Sequence, residues 1–184
     1  MVSKSTQPEN IVFRGKIVEV VQDAKREFAR RSPGVRLLII KGNQTLLTKE
    51  YREEIKSFDY RLPGGKVFDT LVNYNNFTKS GGDILSVALE AAKKEASDEV
   101  GIDPVEIKHI WTSVYGATIV WDLHYFVVSK FQKLRSQNLE AGENIKPMWF
   151  SFNAAKKLAL SGEISEDRSC AVLLRWLHKQ RMLK

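Results

Sequence analysis

Glu95, Asp98 and Glu99 stand at i, i+3 and i+4, a spacing that gathers three carboxylates on one face of a helix. Ile84, Ala88 and Ala91 lie up the same face, so an apolar stripe ends in three negative charges. Like charges pressed against a sheet repel one another and lose hydration unless a cation sits among them. Hard carboxylate oxygens suit Mg²⁺, with Mn²⁺ as a second choice, and such an ion can neutralise phosphate and activate water. The alternative is a solvated acidic helix end paired with Lys93 and Lys94, although acids in a last turn oppose the helix dipole. Other chemistries find no foothold. His109, His124 and His178 lack metal-ligand spacing, and there is no glycine-rich Walker loop. The single cysteine, Cys170, permits no intrachain disulfide and falls on an apolar helix face, where it reads as core.

Positioning the carboxylates takes a helix over Ile84–Val100, capped by Asp83 and stopped by Gly101. Upstream, alternation predicts strands over Ile11–Gln22 and Ala24–Arg31. A hairpin follows, Val35–Lys41 and Gln44–Tyr51 around Gly42-Asn43, and then a short extended piece at Tyr60–Pro63. Lys66–Gly82, rich in Asn, Ser and Gly, reads as a long irregular loop. Val105–Ser113, Thr118–Ser129 and Met148–Phe152 read as strands, with a polar connection over Lys130–Lys146. Two helices close the chain: Ala154–Leu160, capped by Asn153, and Asp167–Leu183, with Cys170, Leu173, Leu174 and Leu177 on one face. Strands around one central helix, with a closing helix, make an α/β or α+β sandwich.

At 184 residues, 43% hydrophobic and 28% charged, the chain suits one domain, or one domain with a small appendage. The net charge of +7 favours anionic partners such as nucleotides. The basic residues are dispersed without interleaved aromatics, so nucleic acid is not the expected partner. No apolar run approaches the ~20 residues of a membrane span, and the first ten residues hold no apolar signal region. With its lone cysteine, the chain reads as cytoplasmic.

Leu62-Pro63-Gly64-Gly65-Lys66, followed by Lys94-Glu95-Ala96-Ser97-Asp98-Glu99-Val100-Gly101-Ile102, resembles the Nudix box, G-x5-E-x7-R-E-U-x-E-E-x-G-U with U apolar. Gly65, Glu95, Ala96, Glu99, Gly101 and Ile102 fall on its positions. Lys94 replaces the arginine, Asp98 replaces the first glutamate of the pair, and Ser86 stands where the isolated glutamate belongs, with Asp83 nearby. The stretch from Gly65 to Glu95 is twice the motif's length, and the excess follows Gly65. Leu47–Arg52 with Leu62–Gly65, and later Met148–Ser151 with Ser161–Ile164, are similar to segments of the ADP-ribose and nucleoside diphosphate sugar pyrophosphatase branch. The proline which that branch carries after the box is missing from Ser113–Thr118.

The resemblance implies an α/β (α+β) Nudix fold, a mixed β-sheet sandwiched between helices with an N-terminal β-strand extension. It divides the chain into an extension over 1–32 and a Nudix hydrolase domain over 33–184, with a loop insertion at about 67–82. It implies Mg²⁺-dependent cleavage of the pyrophosphate linkage in a nucleoside diphosphate sugar or ADP-ribose-like small molecule. Glu95, Asp98, Glu99 and the Gly64 carbonyl would hold metal, and Glu99 would also be catalytic. Glu143, or else Glu140, would be the general base. Arg52 would grip a phosphate, against the alternative of an ion pair with Glu50 or Glu53. A homodimer built on the N-terminal strands would place Phe13 or Phe28 near the base of the nucleotide. Two other readings are a non-catalytic nucleotide sensor and an RNA-end pyrophosphohydrolase. The insertion is expected to be a surface excursion whose trimming spares the fold.

Overall fold

The computed structural model describes residues 10–114, 116–133, 136–139, 142 and 144–180. Its strands are β1 (Asn10–Arg14), β2 (Val18–Gln22), β3 (Glu27–Arg31), β4 (Gly34–Lys41), β5 (Gln44–Arg52), β6 (Ser57–Arg61), β7 (Ile102–Ser113), β8 (Ile119–Val120), β9 (Leu123–Lys133) and β10 (Ile145–Ser151). Its helices are α1 (Leu71–Ser80), α2 (Ile84–Glu95), α3 (Phe152–Ser161) and α4 (Asp167–Lys179), and α2 runs directly into a π-helical turn over Ala96–Val100.

The large sheet has the order β10-β5-β4-β9-β7, with β6 paired to β5. β4 lies parallel to β9 and the other pairs are antiparallel, so the sheet is mixed. Period-two alternation gives β4 two buried faces. Val35, Leu37 and Ile39 meet Ala88, Ala92 and Ala96 of the carboxylate-bearing helix, whose small side chains let it lie close to the sheet. Leu38, with Leu123 and Tyr125 of β9, meets Phe152, Leu173 and Leu177 of the two closing helices. The sheet is therefore sandwiched between helices, as expected, in an α+β fold.

The small sheet, β1-β2-β3-β8, is built on the N-terminal residues. Here the structure differs from the sequence reading. Ile11–Gln22 is a hairpin rather than one strand, because Gly15 turns the chain and donates back to the Val18 carbonyl at 2.8 Å. Thr118–Ser129 is likewise split, its first part pairing with β3 and its second with β4 and β7.

The larger correction concerns 67–82, which is mostly helix. Thr70 caps α1 by accepting from the Asn73 amide, and Gly81, at φ 72°, ends it. Val67 and Leu71 are buried, and Asn75 donates to Glu19, a fully buried carboxylate in β2 that also pairs with Arg14 and Arg30. The segment is thus bonded to the small sheet rather than looped out from the surface. Its many asparagines masked a weakly amphipathic helix whose stability comes from these contacts.

Candidate functional site

β4 seats the glycine loop. Its second half pairs with β5, but its first half bonds instead to the loop after β6: Leu37 N donates to Pro63 O at 2.9 Å and Val35 N to Gly65 O at 3.0 Å. Pro63 and Gly65 thus spend their carbonyls on β4, whereas the Gly64 carbonyl between them accepts no hydrogen bond among the described residues. Gly64 has φ 146°, and a Cβ there would fall 2.1 Å from the Val35 carbonyl oxygen, so only glycine fits.

The carboxylate helix packs onto this loop. Glu99 accepts from the Gly64 amide at 2.7 Å. Glu95 lies so close to Gly65 that a Cβ on that glycine would come within 2.1 Å of Glu95 Oε1. The π turn is part of the arrangement: the Gly101 amide donates to the Ala96 carbonyl, five residues back, and to that of Ser97. The uniform α-helix expected over Ile84–Val100 therefore stops at Glu95, and Glu99 lies in the π turn that follows. Asn138 N donates to the Asp98 carbonyl at 2.9 Å, while the Gln137 amide donates to the carbonyls of Glu99 and Ile145. This polar segment ties the carboxylate turn to β10.

Asp98 turns to other partners, Lys94 at 3.4 Å and Asn138 at 3.4 Å. Ser86 bonds to the capping Asp83 at 2.8 Å, at the far end of α2, so neither replaces the missing glutamate of the box. Among the described residues, no three carboxylate, histidine or cysteine groups converge as a metal cage. What is present is two carboxylates beside a glycine whose carbonyl accepts no hydrogen bond among the described residues. That donor set fits Mg²⁺, which commonly takes one or two carboxylates and keeps several waters.

These groups line a hollow of about 160 Å³, with Arg36, Glu50, Arg52, Arg61 and Lys66 on its other walls. Arg52 lines it while held by Glu50 at 3.1 Å and Glu54 at 2.6 Å, so the ion pair expected with Glu50 is formed, and Glu54 rather than Glu53 is its second partner. Sequence reasoning missed Arg36, which is visible as the one charge within the apolar run Val35–Ile40. It is buried and forms a two-point pair with Glu166 at 2.8 and 2.9 Å. Burial works to raise the Glu166 pKa, but the hydrogen bond and charge of Arg36 bring it down to about 2. Arg61 stands 3.6 Å from the same carboxylate.

Other candidate residues lie elsewhere. Phe13 is exposed on β1, and Phe28 is buried beneath the Arg26 guanidinium; within one chain neither lines the hollow. Glu140 and Glu143 lie outside the described residues. Cys170 is buried with its pKa pushed up to about 11, chiefly by burial, in keeping with a core residue. Among the described residues, no helix is long and apolar enough to cross a membrane.

No protein-family model matches the chain. No curated protein matches it significantly. Its architecture, however, is Nudix-like. It is similar to a crystal structure described as that of an ADP compounds hydrolase, with a TM-score of 0.66 over 98% of this chain and 100% of that one, at 18% sequence identity.

Proposed function

We propose that the chain is a Mg²⁺-dependent pyrophosphatase acting on a nucleoside diphosphate joined to a sugar or similar moiety. The observation that carries this reading is the packing of Glu95 and Glu99 on Gly64-Gly65, which brings two carboxylates to a glycine whose carbonyl accepts no hydrogen bond among the described residues. Those three groups would hold Mg²⁺, or Mn²⁺ in its place, and the ion when bound would neutralise the pyrophosphate and lower the pKa of a water. Arg52 would orient a phosphate from the opposite wall, its charge partly offset by Glu50 and Glu54. Arg36 and Glu166 would fix the floor, holding β4 and hence the glycine loop in register. Glu143 or Glu140 would supply the base. The likeness to an ADP compounds hydrolase agrees with this substrate class. Cleavage would yield a nucleoside monophosphate and a sugar phosphate.

A second reading is a nucleotide sensor without turnover. It is favoured by Asp98, which is engaged with Lys94 rather than with the metal position, and by Ser86 in place of a glutamate. Incubating the protein with a panel of nucleotide sugars and dinucleotides and Mg²⁺, and detecting released phosphomonoesters, separates the two. Turnover abolished by chelator supports the hydrolase, whereas saturable nucleotide binding with no product supports the sensor.

A further inference from the structure

Trp121, between β8 and β9, carries two guanidinium groups over its ring: Arg31 at 4.4 Å and Arg168 at 4.5 Å from its centroid. Arg168 also donates to the Trp121 carbonyl at 2.8 Å. Arg31 is placed differently. It is half-buried at the end of β3, and its buried Nε has no hydrogen-bond acceptor among the described residues. The groups that act on it are burial and the like charges of Arg36 and Arg168, which push its pKa below the ordinary arginine value. Arg36 has Glu166 to answer its charge, whereas Arg31 has no carboxylate in ion-pair contact among the described residues. A partly desolvated cation without a counter-charge is costly, so the position favours an incoming anion.

Arg31 faces a hollow of about 120 Å³ shared with Lys66, Trp121 and the Gly64-Gly65 backbone, and no carboxylate lines it among the described residues. That volume accommodates a tetrahedral oxyanion with residual water. The hollow and the carboxylate site have Arg36, Gly64, Gly65 and Lys66 in common, so the two meet at the glycine loop.

We propose that this chamber is a second oxyanion site, in which Arg31 and Lys66 grip a phosphoryl group of the substrate other than the one attacked beside Glu95 and Glu99. The oxyanion site stands on its own observations, while its role toward substrate rests on the hydrolase reading. Guanidinium and ammonium groups together match a phosphate: one supplies a planar fork, the other a mobile point charge. The phosphoryl group has two sources, the unattacked half of the pyrophosphate or an additional phosphomonoester on one moiety.

The test begins with calorimetric titration of orthophosphate into metal-free full-length protein in the presence of chelator. Saturable binding is expected, weakened at least tenfold in Arg31→Gln, severalfold in Lys66→Gln, partly kept in Arg31→Lys, and kept in Glu99→Gln. Lys66 is exposed, so its variant carries the test even if loss of the Arg31–Trp121 stack disturbs folding. Absence of saturable binding, or equal binding in wild type and both glutamine variants, overturns the proposal. In turnover, Arg31→Gln should raise KM tenfold or more with kcat within threefold; unchanged KM overturns the substrate role. An equal penalty for nucleotide sugars with and without an added 2′-phosphate assigns the pyrophosphate as the source, and a penalty confined to the phosphorylated one assigns the phosphomonoester. Should no substrate turn over with Mg²⁺ while Arg31-dependent phosphate binding persists, the hydrolase reading fails and the oxyanion site stands.

Discussion

Glu99 and Glu166 carry opposite kinds of importance. Glu99→Gln keeps the acceptor for the Gly64 amide but removes the charge, so turnover should fall at least about 100-fold while Tm changes little. A near-wild-type rate at saturating Mg²⁺ would place the metal elsewhere. Glu166→Ala instead strands the buried Arg36 guanidinium, which should cost about 3–5 kcal/mol, or roughly 10 °C in Tm by calorimetry. Two strongly shifted groups also contribute to the acid limit of stability. His124, hydrogen-bonded to Thr112 at 3.0 Å, has its pKa pushed down to about 4 by burial and then by His109. The folded state therefore favours neutral His124, and that stability is present above the ordinary value of 6.5 and lost as pH falls toward 4. Glu166, lowered from 4.5 to about 2, adds stability above 4.5 that is lost only below that. Denaturant melts across this range should show stability declining in two stages, and His124→Gln should flatten the first. A single decline beginning below pH 5 would count against the His124 assignment.

At the scale of elements, α1 is the clearest departure from expectation. Trimming the insertion, Phe68 to Gly81, to the motif's length was expected to spare the fold, but removing it would expose the Leu71 pocket and take Asn75 from the buried Glu19. Asn75→Ala alone should cost about 1–3 kcal/mol and the deletion several, as read from denaturant midpoints. A deletion variant with an unchanged midpoint would restore the view of α1 as an excursion. The sequence exposed what depends on local pattern. Asp83 caps α2 as its position suggested, and Cys170, Leu173 and Leu177 form the buried face of α4. It concealed what depends on distant partners. Nothing local in Asn73-Tyr74-Asn75-Asn76 announces a helix that Glu19 will bond, and nothing in Ala96–Val100 distinguishes a π turn from an α turn. The site divides the same way. Glu95 and Glu99 were legible from their i, i+4 spacing and Gly64 from the resemblance, whereas Arg31 and Trp121 meet only through the pairing of β3 with β8.

Over the whole molecule, the small sheet leaves Ile11, Val12, Phe13 and Ile17 exposed, an apolar strip beside an edge strand. Burying that strip against a second copy would complete the homodimer proposed for this chain. Light scattering at micromolar concentration should then give twice the chain mass, and Val12→Lys with Phe13→Lys should halve it without loss of fold. A monomeric wild type would remove the argument for Phe13 near a bound base. The order of β4 and β9 has a further consequence, in time. The glycine loop sits on one edge of β4, and β9 on the other edge arrives only after residues 42–122 have intervened. At about 5–20 residues per second, a ribosome exposes Val35–Ile40 for on the order of ten seconds before its parallel neighbour emerges. The carboxylate chamber is thus among the last regions a nascent chain can complete, and holding this apolar strand in solution meanwhile is the hazard of its birth.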